Sequence, residues 1–218
     1  MIAVICPSRG RPKNIARLVD SWRLTEATAV LFVCVDDDDP TLDAYRALSG
    51  FELVVGPPKR FAAWVNEMGP QLAERFDIVG LFGDDNVCRT MHWDRRATEA
   101  MQPCGVVWCN DMFQKERLAT APFVDAALVR HLGYMAPPGV EHLYVDDMWM
   151  AVGDRLGTLR YLPSVVIEHA HPYACKASWD DVYRLANSED QYARDRAAFE
   201  RWRDGQMVAD LEGLSCSS

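Results

Sequence analysis

Gly83-Asp84-Asp85-Asn86 places two adjacent carboxylates directly after an apolar run, Ile78-Val79-Gly80-Leu81-Phe82. Such a run reads as a buried strand, and ligands of open α/β sheets bind beyond the ends of strands. Neighbouring carboxylates repel, each disfavouring ionisation of the other. A divalent cation shared with substrate phosphates would relieve that conflict, because Mg²⁺ takes one or two carboxylates plus phosphate oxygens. A solvated turn is the competing reading, since Gly, Asp and Asn are ordinary turn residues.

Four further groups carry chemistry. Arg9 and Arg11 follow the first apolar run and stand at a helix N-terminus, where exposed backbone N–H groups and guanidinium forks suit a diphosphate. The same loop lacks both G-x-G-x-x-G and G-x-x-x-x-G-K-[ST], so neither a dinucleotide fingerprint nor a P-loop is present. Asp36 to Asp39 end a second apolar run. Pro40 and the missing Gly and Glu exclude an EF-hand, whereas a strand-end Asp can accept a hydrogen bond from a nucleobase imide. Asp36 and Asp38 are the candidates there. Asp146-Asp147 open a helix, either as capping residues or as a general base held at a fixed point. His169-Ala170-His171 follow a late strand, and residues i and i+2 of an extended segment face the same way. One imidazole could complete a metal shell begun by Asp85. Lys176 lies within reach of a phosphate.

The elements that position these residues follow from periodicity. Strands are predicted at 2–6, 30–35, 51–55, 78–82, 105–109 and 161–167. Helices are predicted from Pro12, with Ile15, Leu18, Val19 and Trp22 on one face, and at 42–48, 90–101, 124–132 and 146–156. Another carries Phe61, Trp64, Val65 and Met68 and is predicted to stop at Gly69-Pro70. A long charged helix is predicted from Trp179 to Trp202. Strands alternating with helices imply an α/β fold, a single domain over 1–211 with a mostly parallel central sheet flanked by helices. Residues 212–218 read as a flexible tail.

Composition narrows the class. The chain has 218 residues, 49% hydrophobic and 25% charged, as in an ordinary globular protein. Its net charge of −9 disfavours a nucleic-acid partner, though a local basic groove remains compatible. The seven cysteines form no C-x-x-C pair, so free thiols in a reducing cytoplasm are predicted. No apolar run approaches the ~20 residues of a membrane span.

Taken in order, these residues resemble a GT-A glycosyltransferase of the inverting family 2 kind, over roughly residues 1 to 185. The resemblance rests on Pro7-Ser8-Arg9 after the opening strand, Asp36, Arg60 and Asn66 on the helix before strand four, Asp84-Asp85 as a D-x-D element, Asp146-Asp147 at the Glu-Asp position, and His169-x-His171. It implies a nucleotide-sugar donor, UDP-linked by preference, across residues 1–110, and a hydroxyl acceptor on 111–185. Asp36 would contact the base, Asp84 the ribose, and Asp85 with His169 or His171 a Mn²⁺ or Mg²⁺. Asp147 would deprotonate the acceptor, with Asp146 as the other choice. Gly83 departs from the pattern, standing where a first acid is often found. The compact length is similar to bacteriophage-encoded members, which would work in the host cytoplasm. Two alternatives remain: a nucleotidyltransferase making sugar nucleotides, and a non-catalytic sugar- or nucleotide-binding module.

Overall fold

Successive residues of the first strand, β1 (Ile2–Pro7), enter two different cores. Ala3 and Ile5 face one layer of helices, and Ile2, Val4 and Cys6 face the other, as the two-residue period of a strand requires. All five are buried, which is the pattern of a sheet covered on both faces. A computed structural model describes residues 1–216.

β1 lies between β2 (Val30–Asp36) and β4 (Ile78–Leu81), and β3 (Glu52–Gly56) flanks β2, all parallel. The sheet then becomes mixed. β7 (Phe123–Asp125) runs antiparallel to β4 and to β6 (Val106–Asn110), while β8 (Leu159–His169) is parallel to β6. β5 (Asn86–Cys88) closes the order β3-β2-β1-β4-β7-β6-β8-β5, antiparallel to β8. Gly80 admits the β4–β7 pairing, since a Cβ there would meet the Phe123 ring at 2.8 Å.

On one face pack α1 (Pro12–Leu24), α2 (Leu42–Arg46) and α4 (Trp93–Ala100). The other face carries α3 (Phe61–Ala73), α5 (Ala126–Leu132), α6 (Val145–Leu156) and α8 (Glu189–Gly205). α7 (Asp181–Ala186) precedes α8, and α9 (Met207–Asp210) follows it. The α/β class with flanking helices is the one predicted.

Several local predictions fail for identifiable reasons. α3 does not stop at Gly69-Pro70 but continues to Ala73. An interior proline costs about 3 kcal/mol, and burial of Trp64, Val65, Met68, Leu72 and Ala73 along one stripe offsets it. The long helix from Trp179 breaks at Asn187-Ser188, where Ser188 caps α8 by accepting from the Gln191 N–H. β5 has no sequence signal of its own, being three residues long. The seven cysteines are not all free: Cys104 and Cys216 form a disulfide with a Cα–Cα distance of 5.5 Å. Their separation of 112 residues carries no spacing signature. That bond tethers the segment predicted to fray; Ser217 and Ser218 lie outside the described residues. No described helix is long and apolar enough to cross a membrane.

Candidate active site

The turn between β4 and β5 aims Asp84 and Asp85. Asn86 Oδ1 closes it by accepting from the Gly83 N–H at 2.7 Å. Gly83 leaves room for its neighbour, because a Cβ there would sit 2.6 Å from Asp85 Oδ1. The antiparallel register of β5 and β8 sets Asn86 opposite His169, and the Ala170 N–H donates to the Asp85 carbonyl at 3.0 Å. Residues 83 and 85 positions apart in sequence are thereby held side by side.

Both carboxylates are buried, and their surroundings separate them. Asp84 accepts from Ser8 Oγ at 2.8 Å, Arg11 Nη1 at 3.2 Å and Asn14 Nδ2 at 3.3 Å. Burial pushes its pKa up to about 6, against the pull of Arg11 and aided by the charge on Asp85. Asp85 Oδ2 accepts from the Tyr183 hydroxyl at 2.8 Å and lies 3.3 Å from His169 Nε2. Burial works against its charge, yet His169 and Tyr183 hold Asp85 well below the usual carboxylate range.

One ligand atom each from Asp85, His169 and His171 lies within 4.8 Å of the others. The donor set suits a divalent cation. His171 Nδ1 accepts from the Tyr173 N–H at 3.2 Å, which leaves Nε2 as its ligand atom. Burial, followed by the neighbouring His169, lowers the His171 pKa to about 4, so its imidazole is neutral, as ligation requires. Burial also opposes charge on His169, but Asp85 raises its pKa above the ordinary value.

At the far end, the ring of Trp64 and the carboxylate of Asp36 form a shelf. Asp36 Oδ1 accepts from Trp64 Nε1 at 2.8 Å and from the Lys59 N–H at 3.0 Å, while Oδ2 accepts from Arg9 at 2.7 Å. Lys59 Nζ stands 4.2 Å from the Trp64 ring centroid.

Opposite lies the start of α6. Tyr144, its N-cap, adopts φ 65° and offers no side-chain cap, while the Asp147 N–H donates to Asp146 Oδ1 at 3.1 Å. Burial, and then the charge of Asp147 beside it, raise the pKa of Asp146 well above the ordinary range. The preceding loop is fixed from α8. Asp195, fully buried, accepts from three consecutive N–H groups, Glu141 at 2.9 Å, His142 at 3.0 Å and Leu143 at 2.7 Å.

A cavity of about 450 Å³ joins these parts. It is lined by Pro7, Ser8, Arg9, Arg11, Asp36, Arg60, Asp84, Asp85, Asp146, His169 and His171, all singled out in the sequence. Four candidates do not line it. Asp38 pairs with Arg9 at the surface, and Lys176 pairs with Glu168 at 2.8 Å. Asn66 clamps backbone, accepting from the Met135 and Ala136 N–H groups at 2.8 and 2.7 Å. Asp147, which the resemblance implies as base, is not part of the cavity wall, whereas Asp146 beside it is. Trp64, Tyr183 and Asp195 escape sequence reasoning. Trp64 and Tyr183 look like helix-face residues, and Asp195 looks like one charge among many on α8.

No protein-family model matches the chain, and no curated protein matches it significantly. Solved structures do. Glucosyl-3-phosphoglycerate synthase from Mycobacterium tuberculosis, crystallised with Mn²⁺, UDP and phosphoglyceric acid, aligns with a TM-score of 0.58 and 16% identity, over 94% of this chain and 78% of that one. TarS of S. aureus aligns at 0.55 and 12% identity over 98% of this chain, which spans 46% of TarS. 4-diphosphocytidyl-2C-methyl-D-erythritol synthase from Anaerococcus prevotii DSM 20548 aligns at 0.51 and 9%, over 90% and 95%. The fold is thus shared with nucleotide-sugar transferases and with nucleotidyltransferases.

Proposed function

We propose that the chain is a metal-dependent glycosyltransferase that moves a hexose from a nucleoside-diphosphate sugar, UDP-linked by preference, to a hydroxyl acceptor. One observation carries this reading: Asp84-Asp85 with His169 and His171 face the same cavity as Asp146. A Mn²⁺ or Mg²⁺ held by Asp85, His169 and His171 would act as a Lewis acid on the leaving diphosphate.

The chain's own residues supply the rest. Asp84, hydrogen-bonded to Ser8 and Asn14, offers a fixed acceptor for a ribose hydroxyl. Asp36 and Trp64 bound the base end, and Arg11 brings positive charge to the diphosphate. Asp146 takes the acceptor proton as the acceptor oxygen bonds to the anomeric carbon, and the bond to the diphosphate breaks with its electron pair leaving on oxygen. A raised pKa favours this role, because a base near the working pH transfers protons most efficiently. A single displacement of this kind inverts the anomeric centre. The net charge of −9 favours a glycan, protein or small-molecule acceptor over DNA.

The test is incubation with UDP-, GDP- and dTDP-hexoses plus Mn²⁺ or Mg²⁺, with and without EDTA. Cation-dependent release of a nucleoside diphosphate is expected, and its absence with every donor overturns the reading. The likeness to the Anaerococcus prevotii synthase favours one second reading, a nucleotidyltransferase. Pyrophosphate release from a sugar 1-phosphate and a nucleoside triphosphate would establish it. Only Gly10 stands in the loop after β1, against the Gly-rich loop usual in such enzymes.

A further inference from the structure

Gln191 is 2% exposed, lines the cavity, and its Nε2 has no hydrogen-bond partner. The orientation of the amide is fixed at its other end. Arg194 can only donate, and its Nη2 lies 3.1 Å from Gln191 Oε1, so the amide oxygen faces Arg194 and the NH₂ faces away. The backbone is fixed too, because the Gln191 N–H is the group that Ser188 caps at the start of α8. One turn further along, Asp195 anchors residues 141–143, which bring His142 and Leu143 to the same cavity.

A buried donor left without an acceptor is unfavourable, and native structures keep few of them. The missing partner is a hydrogen-bond acceptor. A neutral partner is favoured at Gln191, because the diphosphate of the proposed donor belongs at the Asp85 and Arg11 end of the cavity, and Asp146 lines the same cavity as Gln191. A neutral hydroxyl fits. We propose that Gln191 is a specificity-determining residue whose Nε2 donates to a hydroxyl of the transferred sugar. This rests on the reading of the chain as a nucleotide-sugar transferase. In that reading the diphosphate is held near Asp85 and the anomeric carbon lies beside Asp146, so the sugar ring occupies the cavity that Gln191 borders.

Calorimetry tests this on the full chain with Mn²⁺. The titrants are free UDP, GDP and dTDP, and the glucose, galactose and N-acetylglucosamine conjugates of whichever nucleotide binds. The variants are Gln191→Met, which keeps the length and loses the donor, and Gln191→Glu, which keeps the shape and replaces the donor with an acceptor. The wild type is expected to bind one conjugate more tightly than the free nucleotide. Both variants should lose roughly tenfold in affinity for that conjugate, the upper range for one neutral hydrogen bond, with free-nucleotide affinity unchanged. That control also shows that the variants fold. Free-nucleotide binding with a conjugate preference unmoved in both variants overturns the role of Gln191 alone. If no nucleotide binds the wild type, the functional reading and this proposal fall together.

Discussion

Tyr183 stands on Asp85, the carboxylate best placed to carry a cation. Its hydroxyl donates at 2.8 Å to the same Oδ2 that faces His169 Nε2 at 3.3 Å. Arg11 fixes the ring, with its guanidinium carbon 3.7 Å from the Tyr183 centroid, and its fork grips Asp180 at the start of α7. α7 is thus latched over the two acids by a hydroxyl, a stacked cation and an ion pair.

A cation that takes Asp85 Oδ2 competes with the Tyr183 hydroxyl for the lone pairs of that oxygen. Tyr183→Phe removes that competitor and keeps the ring beneath Arg11. Its Mn²⁺ affinity, read by calorimetry without nucleotide, should rise by roughly tenfold to a hundredfold, the equivalent of one hydrogen bond to a charged group. Unchanged or weaker binding would mean that Tyr183 supports the cation instead of excluding it.

The two acids at the start of α6 divide by geometry. Asp146 lines the cavity, and Asp147 contributes the charge that helps to raise the Asp146 pKa. Turnover that needs ionised Asp146 is lost as pH falls through its raised pKa, so the acid limb lies above the ordinary aspartate value of ~4. Asp147→Asn should retain turnover and move that limb to lower pH, while Asp146→Asn should abolish turnover and keep nucleotide affinity. Linkage gives a second readout. A carboxyl whose folded pKa exceeds its unfolded one stabilises the fold below the unfolded value, and that contribution is lost as pH rises through the folded value. Asp146→Asn should therefore raise the Tm at pH 8 more than at pH 4. A limb unmoved in Asp147→Asn, or full turnover in Asp146→Asn, contradicts the assignment.

What the sequence made legible is largely local. β1, β2 and β4 read from their apolar runs, and Asp36, Asp84 and Asp85 were found because each follows one. His169 and His171 were found by spacing, but their meeting with Asp85 depends on β5, whose three residues give no periodicity to detect. Asp146 and Asp147 are indistinguishable in sequence, and only the fold, which brings Asp146 alone to the cavity wall, separates them. Tyr183 and Asp195 act across 98 residues and across 52 to 54 residues, with partners that no local pattern announces. Asn66 misled for the converse reason, since its helix turns it toward residues 135–136 instead of the cavity.

Asp195 is expected to matter for stability. Asp195→Ala strands three N–H groups of residues 141–143 that its carboxylate now satisfies. The cost should be about 2–4 kcal/mol in urea denaturation, a range typical of losing a buried hydrogen-bond network. Hydrogen exchange should show those three amides losing protection ahead of β1. A loss below roughly 0.5 kcal/mol, the level of a surface substitution, would mean that water replaces the carboxylate.

Gly83 offers the sharpest test of how closely the turn is fitted. A Cβ there would lie 2.6 Å from Asp85 Oδ1, far inside van der Waals contact. The carboxylate cannot swing freely away, because Tyr183 and His169 hold its other oxygen. Gly83→Ala should therefore turn Asp85 out of line with His169 and His171 while leaving β4 and β5 paired. Mn²⁺ affinity should fall roughly tenfold or more, with a stability loss of about 1–3 kcal/mol, the usual cost of overpacking. Asp85→Asn sets the lower bound by removing the charged ligand altogether. Equal Mn²⁺ affinity in Gly83→Ala and the wild type would show that the cation does not use Asp85, and would move the metal site away from this turn.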